Sequence, residues 1–451
     1  MKRNFVIVFL FFICFTQTYG QVQPPDACEE TDSLILARLN QWQDLKFGFM
    51  VHWGTYSQWG IVESWSVCSE DEDWISRDTN LPYDEYKQRY FALNKSFNPT
   101  KFNPQQWATL AQDAGMKYVV FTTKHHDGFC MFDTKQTSYS VTDNACPYSQ
   151  NVNADITKAV VNAFKANNFW TGLYFSKPDW HNNDYWCNRW ATPDRNVNYE
   201  IAKHKDKWKN FCDFTFKQIE ELTLQYTPDI LWLDGGWIRP AWSVNDESRP
   251  WLGCRQQVQD INMTKIANMI RQHRADILII DRSVGGKYEN YRTPEQQIPK
   301  TPLPYAWETC MTMGESWSYK PDDNYKSVNT LIHTLIEIVA KGGNLLLNVG
   351  PDSQGELPPQ AIERMKAIGR WLSRNGYAIY DTHPVFPYQE GKICYTQTKQ
   401  GQTFAIYLLD ENEVLPDKIS VLNNGKRQTL SVSKALQRES KGTNAVVFKL
   451  E

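Results

Sequence analysis

Apolar residues gather in short runs that end in polar or glycine-containing clusters. Residues 47–54 (FGFMVHWG), 117–129 (KYVVFTTKHHDGF), 169–176 (FWTGLYFS), 229–235 (DILWLDG), 276–283 (DILIIDRS) and 344–350 (NLLLNVG) read as strands, and 305–310 as a weaker one. An eighth strand is not visible. Between these runs the apolar positions recur at helical spacing. The helices expected are 104–114, with Pro104 in the first turn and Gly115 as the stop, then 156–166, 207–225, 261–273 and 328–341, and last 358–375, closed by Gly376. Near-continuous apolar strands alternating with helices predict a parallel sheet covered on both faces. Repetition over most of the chain favours a (β/α)8-like barrel over a shorter open sheet. After Asp381 the texture changes to short runs at 392–398, 403–409, 418–422, 428–432 and 445–450, with the turn signal Asn423-Asn424-Gly425. This predicts a small antiparallel β domain at 381–451 behind a barrel at 21–380.

The first residues have a different purpose. Lys2 and Arg3 precede an apolar run, FVIVFLFFICF at 5–15, and Thr18-Tyr19-Gly20 supplies small residues for cleavage before Gln21. That is the form of a signal peptide over 1–20, too short for a membrane span. Export places the chain in an oxidising compartment, where some cysteine pairs are expected to form disulfides. The chain holds 10 Cys, and Cys14 falls in the leader, so the remaining number is odd and at least one thiol stays free. No C-x-x-C occurs, which argues against a structural zinc or a thioredoxin-like pair. The formal net charge of −3 argues against a nucleic-acid binder that works by general charge. The 18 Trp, 22 Tyr and 22 Phe change the picture more. Flat apolar faces with polar rims suit sugar rings, so a carbohydrate ligand enters the reading.

In a barrel, polar residues at the C-terminal ends of strands are the functional candidates. That filter selects His52-Trp53, His125-His126-Asp127, Tyr174, Trp232 with Asp234, and Arg282. Around them lie Trp59, Trp65, Phe129, Trp180 and Trp237. The pair His125-His126 invites a metal reading. Adjacent strand residues point to opposite faces, however, so both reach one ion only if the strand breaks there. No H-x-H occurs at the first strand, and neither metal nor cofactor is expected. Glycoside cleavage needs two carboxyls. Asp234 is the first; Glu289, Glu295 and Glu308 downstream are candidates for the second, and composition does not choose among them.

The segments FGFMVHWGTYSQWG, KYVVFTTKHHDGF, GLYFS, PDILWLDGGW, YRTPEQ, WETC-MTMGESWSY and GGNLLLNVGPDSQGELP resemble, in order from about Leu45 to Ile379, the α-L-fucosidases of glycoside hydrolase family 29. The combination of KHHDGF, W-x-D-G and LLLNVGP is highly specific. The resemblance implies a (β/α)8-like barrel followed by a β-sandwich, hydrolysis of α-L-fucosides with retention through a covalent intermediate, and no metal. It places the nucleophile at Asp234 and the acid/base at Glu295, with Glu308 as runner-up. It places fucose ligands at His52, His125, His126, Tyr174, Trp232 and Arg282. Many members carry a Glu-Trp pair after the first strand; here Ser64 separates Glu63 from Trp65, which leaves open whether Glu63 replaces the usual ligand or the loop is rebuilt. The expected partner is a fucosylated oligosaccharide, polysaccharide or glycoconjugate. The competing readings are an α-L-galactosidase on the same scaffold, a non-catalytic sugar-binding barrel and a barrel metallohydrolase.

Overall fold

The computed structural model describes residues 30–68, 75, 77, 78, 80–187, 189, 195–243 and 257–450. The expected signal peptide, Cys28 and Cys254 lie outside the described residues. Seven strands make one parallel sheet: β1 (Phe47–Val51), β2 (Tyr118–Lys124), β3 (Trp170–Ser176), β4 (Ile230–Asp234), β5 (Leu278–Asp281), β6 (Glu308–Thr312) and β7 (Asn344–Val349). Their spatial order is β5-β4-β3-β2-β1-β7-β6. Six of the seven sit on the strong apolar runs, and β6 sits at the weak one.

Alternate residues of each strand serve two cores. Met50, Val120, Tyr174, Trp232, Ile280, Cys310 and Leu346, one from each strand, belong to a single inner cluster. The sheet therefore curls around that cluster. Residues of the other parity, such as Phe49, Phe121, Leu173, Leu231 and Ile279, pack beneath the helices. Burying each such side chain is favourable by roughly 1.5–3 kcal/mol, so strands buried on both faces must be apolar almost throughout. The covering helices are α1 (Ser33–Leu45), α2 (Tyr83–Phe91), α3 (Pro104–Asp113), α4 (Ile156–Ala166), α5 (Lys205–Tyr226), α6 (Met263–His273), α7 (Val328–Ala340) and α8 (Pro359–Asn375). Asn103, Asp155 and Ser327 cap α3, α4 and α7 by accepting the N–H groups of Gln106, Lys158 and Thr330.

Two of these covering helices have no counterpart in the sequence pattern for a common reason: their buried stripes are thin. α1 buries only Ile35, Leu39 and Trp42, and α2 only Tyr86 and Tyr90. α1 closes the end of the sheet where the strands begin. Trp42 stacks on Tyr291 with ring centroids 3.8 Å apart, and its carbonyl accepts from Asn344 at the start of β7.

No regular strand stands between β5 and β6. Residues 288–296 run there instead. The Tyr288 carbonyl and the Asn290 N–H bond to Asp281 and Ile279 of β5. Arg292, Pro294 and Gln296 bond along 306–310, entering β6. Pro294 has no N–H to give, so this stretch cannot be a regular central strand. It nevertheless ties the two edges of the sheet together and carries Glu295 toward the strand ends.

The C-terminal part contains β8 (Thr382–Glu390), β9 (Ile393–Thr398), β10 (Thr403–Leu408), β11 (Lys418–Asn423), β12 (Lys426–Ser431), α9 (Lys434–Ser440) and β13 (Ala445–Lys449). An antiparallel sheet runs β13-β10-β9-β8, and β11 and β12 form a hairpin beside it. Asn424 and Gly425 turn that hairpin with φ of 48° and 75°, the left-handed pair that the Asn-Gly signal predicts. β8 was hidden by Pro384 and Pro387, which an edge strand tolerates.

Where disulfides were expected, Cys130, Cys146, Cys187, Cys212, Cys310 and Cys394 are free thiols, all but Cys212 buried. They are packed as small apolar side chains of the cores. No helix among the described residues is long and apolar enough to cross a membrane.

Candidate active site

A cavity of about 990 Å³ opens over the C-terminal ends of the strands. His52, His125, His126, Tyr174, Trp232 and Asp234 line it, as do Glu63, Trp65, Arg282 and Glu295. The strand-end residues of β1 to β5 therefore meet in one site, together with Glu63, Trp65 and Glu295, which the resemblance singled out. Trp53 and Asp127 passed the same filter and face elsewhere, as does Phe129, one of the aromatics expected around the site. Trp53 and Phe129 belong to the helix-side core, and Asp127 accepts from Tyr90 at 2.7 Å.

Asp234 ends β4. Gly235 follows with φ 93°, and a Cβ there would collide with Pro178, so only glycine allows the chain to turn away immediately behind the carboxylate. The Tyr174 hydroxyl donates to Asp234 Oδ2 at 2.7 Å and Arg282 Nη1 to Oδ1 at 3.0 Å. Burial opposes the charge. The Arg282 guanidinium, the His126 ring, the Tyr174 hydroxyl and the Gly235 N–H outweigh it and hold the carboxyl well below the usual range. Asp234 is an ionised carboxylate at any working pH.

Arg282 also reaches Glu295, through Nη2 to Oε2, and its Nε donates to Thr293 at 3.2 Å. One guanidinium thus clamps both candidate carboxyls. Glu295 is the more open of the two, with 43% of its side chain exposed against 14% for Asp234.

The three histidines are uncharged. Burial pushes His52 down to about 4, His126 to about 3 and His125 well below its ordinary value. Their partners fix the tautomers of two. Asn348 Nδ2 donates to the Trp317 carbonyl, so its Oδ1 accepts from His52 Nδ1 at 2.7 Å. The Ser176 hydroxyl donates to the Pro178 carbonyl at 2.8 Å, so its oxygen accepts from His126 Nδ1 at 2.6 Å. Both rings then keep an Nε2 lone pair, an acceptor for a hydroxyl hydrogen.

β2 ends at Lys124, before the two histidines, and Gly128 turns the chain at φ 82°. The strand break lets both rings share the cavity, with centroids 4.3 Å apart. Among the described residues no group of three or more His, Cys, Asp or Glu side chains could hold a metal ion.

The inserted Ser64 is absorbed by a tight turn, Ser64–Val67, with Glu63 just before it. Glu63 and Trp65 both line the cavity, and Ser64 turns inward to pair with His125 Nδ1 at 2.5 Å. Glu63 is 2% exposed and accepts from the Ser318 N–H at 2.8 Å. Burial raises its carboxyl to about 7. Trp65 packs edge-on to His126 at 5.1 Å.

Glu308 stands apart. It begins β6, is fully buried and does not line the cavity. Sequence reasoning missed Ser176 and Asn348, although both are polar residues at or near strand ends, and it missed Trp317, whose ring lies 5.1 Å from that of His52.

A family model described as Alpha-L-fucosidase matches residues 15–377. The chain is 30% identical over 401 residues to an alpha-L-fucosidase of Branchiostoma floridae, covering 84% of this chain and 80% of that protein. It is 30% identical over 406 residues to tissue alpha-L-fucosidase of Bos taurus, covering 85% and 78%. The structure of alpha-L-fucosidase isoenzyme 1 from Paenibacillus thiaminolyticus matches with a TM-score of 0.68 and 27% identity, covering 92% of this chain and 95% of that one. With its curled parallel sheet, its pocket over the strand ends and this match across most of its length, the chain belongs to the α-L-fucosidases of glycoside hydrolase family 29.

Proposed function

We propose that the protein is an exported, retaining exo-α-L-fucosidase that removes terminal fucose from glycans by double displacement. The observation that carries the mechanism is the Arg282 clamp on Asp234 and Glu295. A single guanidinium can hold two carboxylates only when they lie close together. The shared guanidinium keeps both carboxyls on one side of the cavity, compatible with the spacing of about 5–5.5 Å that a retaining enzyme uses. Asp234, ionised and buried, attacks the anomeric carbon. Glu295, on the solvent side, protonates the departing oxygen and then takes a proton from the incoming water. His52 and His126 accept hydroxyl hydrogens from the sugar, with His125, Glu63 and Tyr174 beside them. Met50, Trp232 and Trp317 offer apolar surface to the C5 methyl, whose burial is worth roughly 0.8 kcal/mol.

The finer architecture belongs to the same proposal. The seven strands and the 288–296 run act as the eight positions of a (β/α)8-like barrel over 21–380, and the C-terminal sheet and hairpin as a β-sandwich domain over 381–451. The leader at 1–20 directs export.

Asp234→Gly tests the reading. It should abolish turnover on good and poor leaving groups alike, and azide should restore activity with a product of inverted configuration. Retention of more than about a hundredth of the wild-type kcat by Asp234→Ala would exclude covalent catalysis at this residue. Early release of oligosaccharides by internal cleavage would exclude the exo mode.

A further inference from the structure

We propose that Glu308 is a positioning residue that acts on the reaction through Trp232. The inference rests on the hydrolytic reading of the cavity above it. Glu308 lies fully buried inside the sheet, 0% exposed. Its Oε1 is 3.3 Å from Trp232 Nε1, and its Oε2 is 2.6 Å from the Tyr118 hydroxyl. The three residues come from β6, β4 and β2, alternate strands that contribute to one interior layer.

An indole N–H only donates, and a buried donor without an acceptor is costly. Glu308 is the acceptor that fixes the in-plane orientation of the Trp232 ring. That ring is a shared wall. Tyr174 stacks on it with centroids 5.3 Å apart at 25°, and the Arg282 guanidinium lies 5.1 Å from its centre. Tyr174 and Arg282 are the two side chains that hold the oxygens of Asp234. Trp232 and Asp234 also lie two residues apart on one strand, hence on the same face. A turn of the indole therefore moves both partners of the nucleophile.

Burial raises the Glu308 carboxyl to about 8, so it holds a proton at neutral pH. Glutamine keeps an acceptor for Trp232 and leaves a polar group beside the Tyr118 hydroxyl. Leucine keeps neither.

The experiment compares Glu308→Gln, Glu308→Leu, Tyr118→Phe, Trp232→Phe and the double variant Glu308→Leu/Trp232→Phe. Steady-state kinetics are measured on an aryl fucoside and a fucosyl disaccharide, with folding followed by circular dichroism and melting. Glu308→Gln and Tyr118→Phe should stay within about threefold of wild-type kcat. Glu308→Leu should lose about 10- to 100-fold in kcat, with KM nearly unchanged, by the same factor on both substrates and without rescue by azide. In the double variant the Glu308→Leu loss should vanish, because phenylalanine has no N–H to orient.

Full additivity of the two losses would overturn the coupling through Trp232. A leaving-group-dependent loss in Glu308→Gln, rescued by azide with retained configuration, would instead make Glu308 the acid/base. If Glu308→Leu does not fold, the Glu308→Gln and Tyr118→Phe arms still decide, since a tenfold kcat loss in either contradicts the proposal. Failure of the hydrolytic reading itself would appear separately, as activity that survives Asp234→Ala.

Discussion

Arg282→Met removes the charge that keeps Asp234 ionised while preserving most of the side-chain volume. Asp234 and Arg282 are each only 14% exposed and stand 3.0 Å apart. Breaking such a buried pair from one side costs about 3–5 kcal/mol, because the remaining charge is left in a poorly solvated place. At about 1.36 kcal/mol per pH unit, that lifts the titration of Asp234 by about 2 to 4 pH units. The wild-type carboxyl titrates far below the usual range, so it imposes no acid limb in the working window. The variant should acquire one, with kcat/KM on an activated aryl fucoside falling as pH drops through the raised value. The pH dependence of stability should shrink. A depressed carboxyl contributes stability above its unfolded value of about 3.9 and loses it only as pH falls through the folded value. Left without Arg282, the folded value moves up toward the unfolded one, so most of that pH-dependent stability disappears and the melting slope at low pH flattens. The assay is a pH profile of kcat/KM beside a pH series of melting temperatures. Loss of sugar contacts lowers the whole profile but does not shift its limb. A variant whose acid limb and melting slope match the wild type would refute the assignment of Arg282 as the counterion of Asp234.

Ser176→Ala frees the His126 ring from its fixed tautomer and should lower kcat/KM by roughly 1 kcal/mol, about fivefold, with the fold intact by circular dichroism. Gly235→Ala forces a Cβ against Pro178 at φ 93° and should cost at least about 1 kcal/mol in a denaturation experiment, together with most of the activity. Glu63, raised by burial to about 7, favours the folded state when protonated. Its contribution is full below the unfolded value of about 4.3 and is lost as pH rises toward 7, so Glu63→Gln should flatten the melting-temperature slope across that window.

The layers of the barrel-like part were legible because both faces of each strand are buried, which writes long apolar runs such as LLLNV at β7 and ILWLD at β4. The carboxylate and histidines stood at strand ends, where a curled parallel sheet must place its chemistry. What stayed hidden had no local signal. The 288–296 run bonds to both sheet edges through backbone groups and carries prolines that forbid a strand pattern. The roles of Ser176 and Asn348 arise from contacts 50 and 296 residues away in the chain. Glu308 and Glu295 look alike in sequence. Only the register of β6 puts the first beneath the cavity, while the Glu295 bridge to Cys310 puts the second beside it.

The central claim is that Asp234 becomes covalently linked to the sugar. Incubating the protein with 2-deoxy-2-fluoro-fucosyl fluoride, digesting it and mapping the mass-shifted peptide tests this directly. The account predicts one fluorofucosyl group per chain, on Asp234, formed as activity disappears. A label on Glu295, Glu308 or any other residue, or continued turnover with inversion and no label, would contradict it.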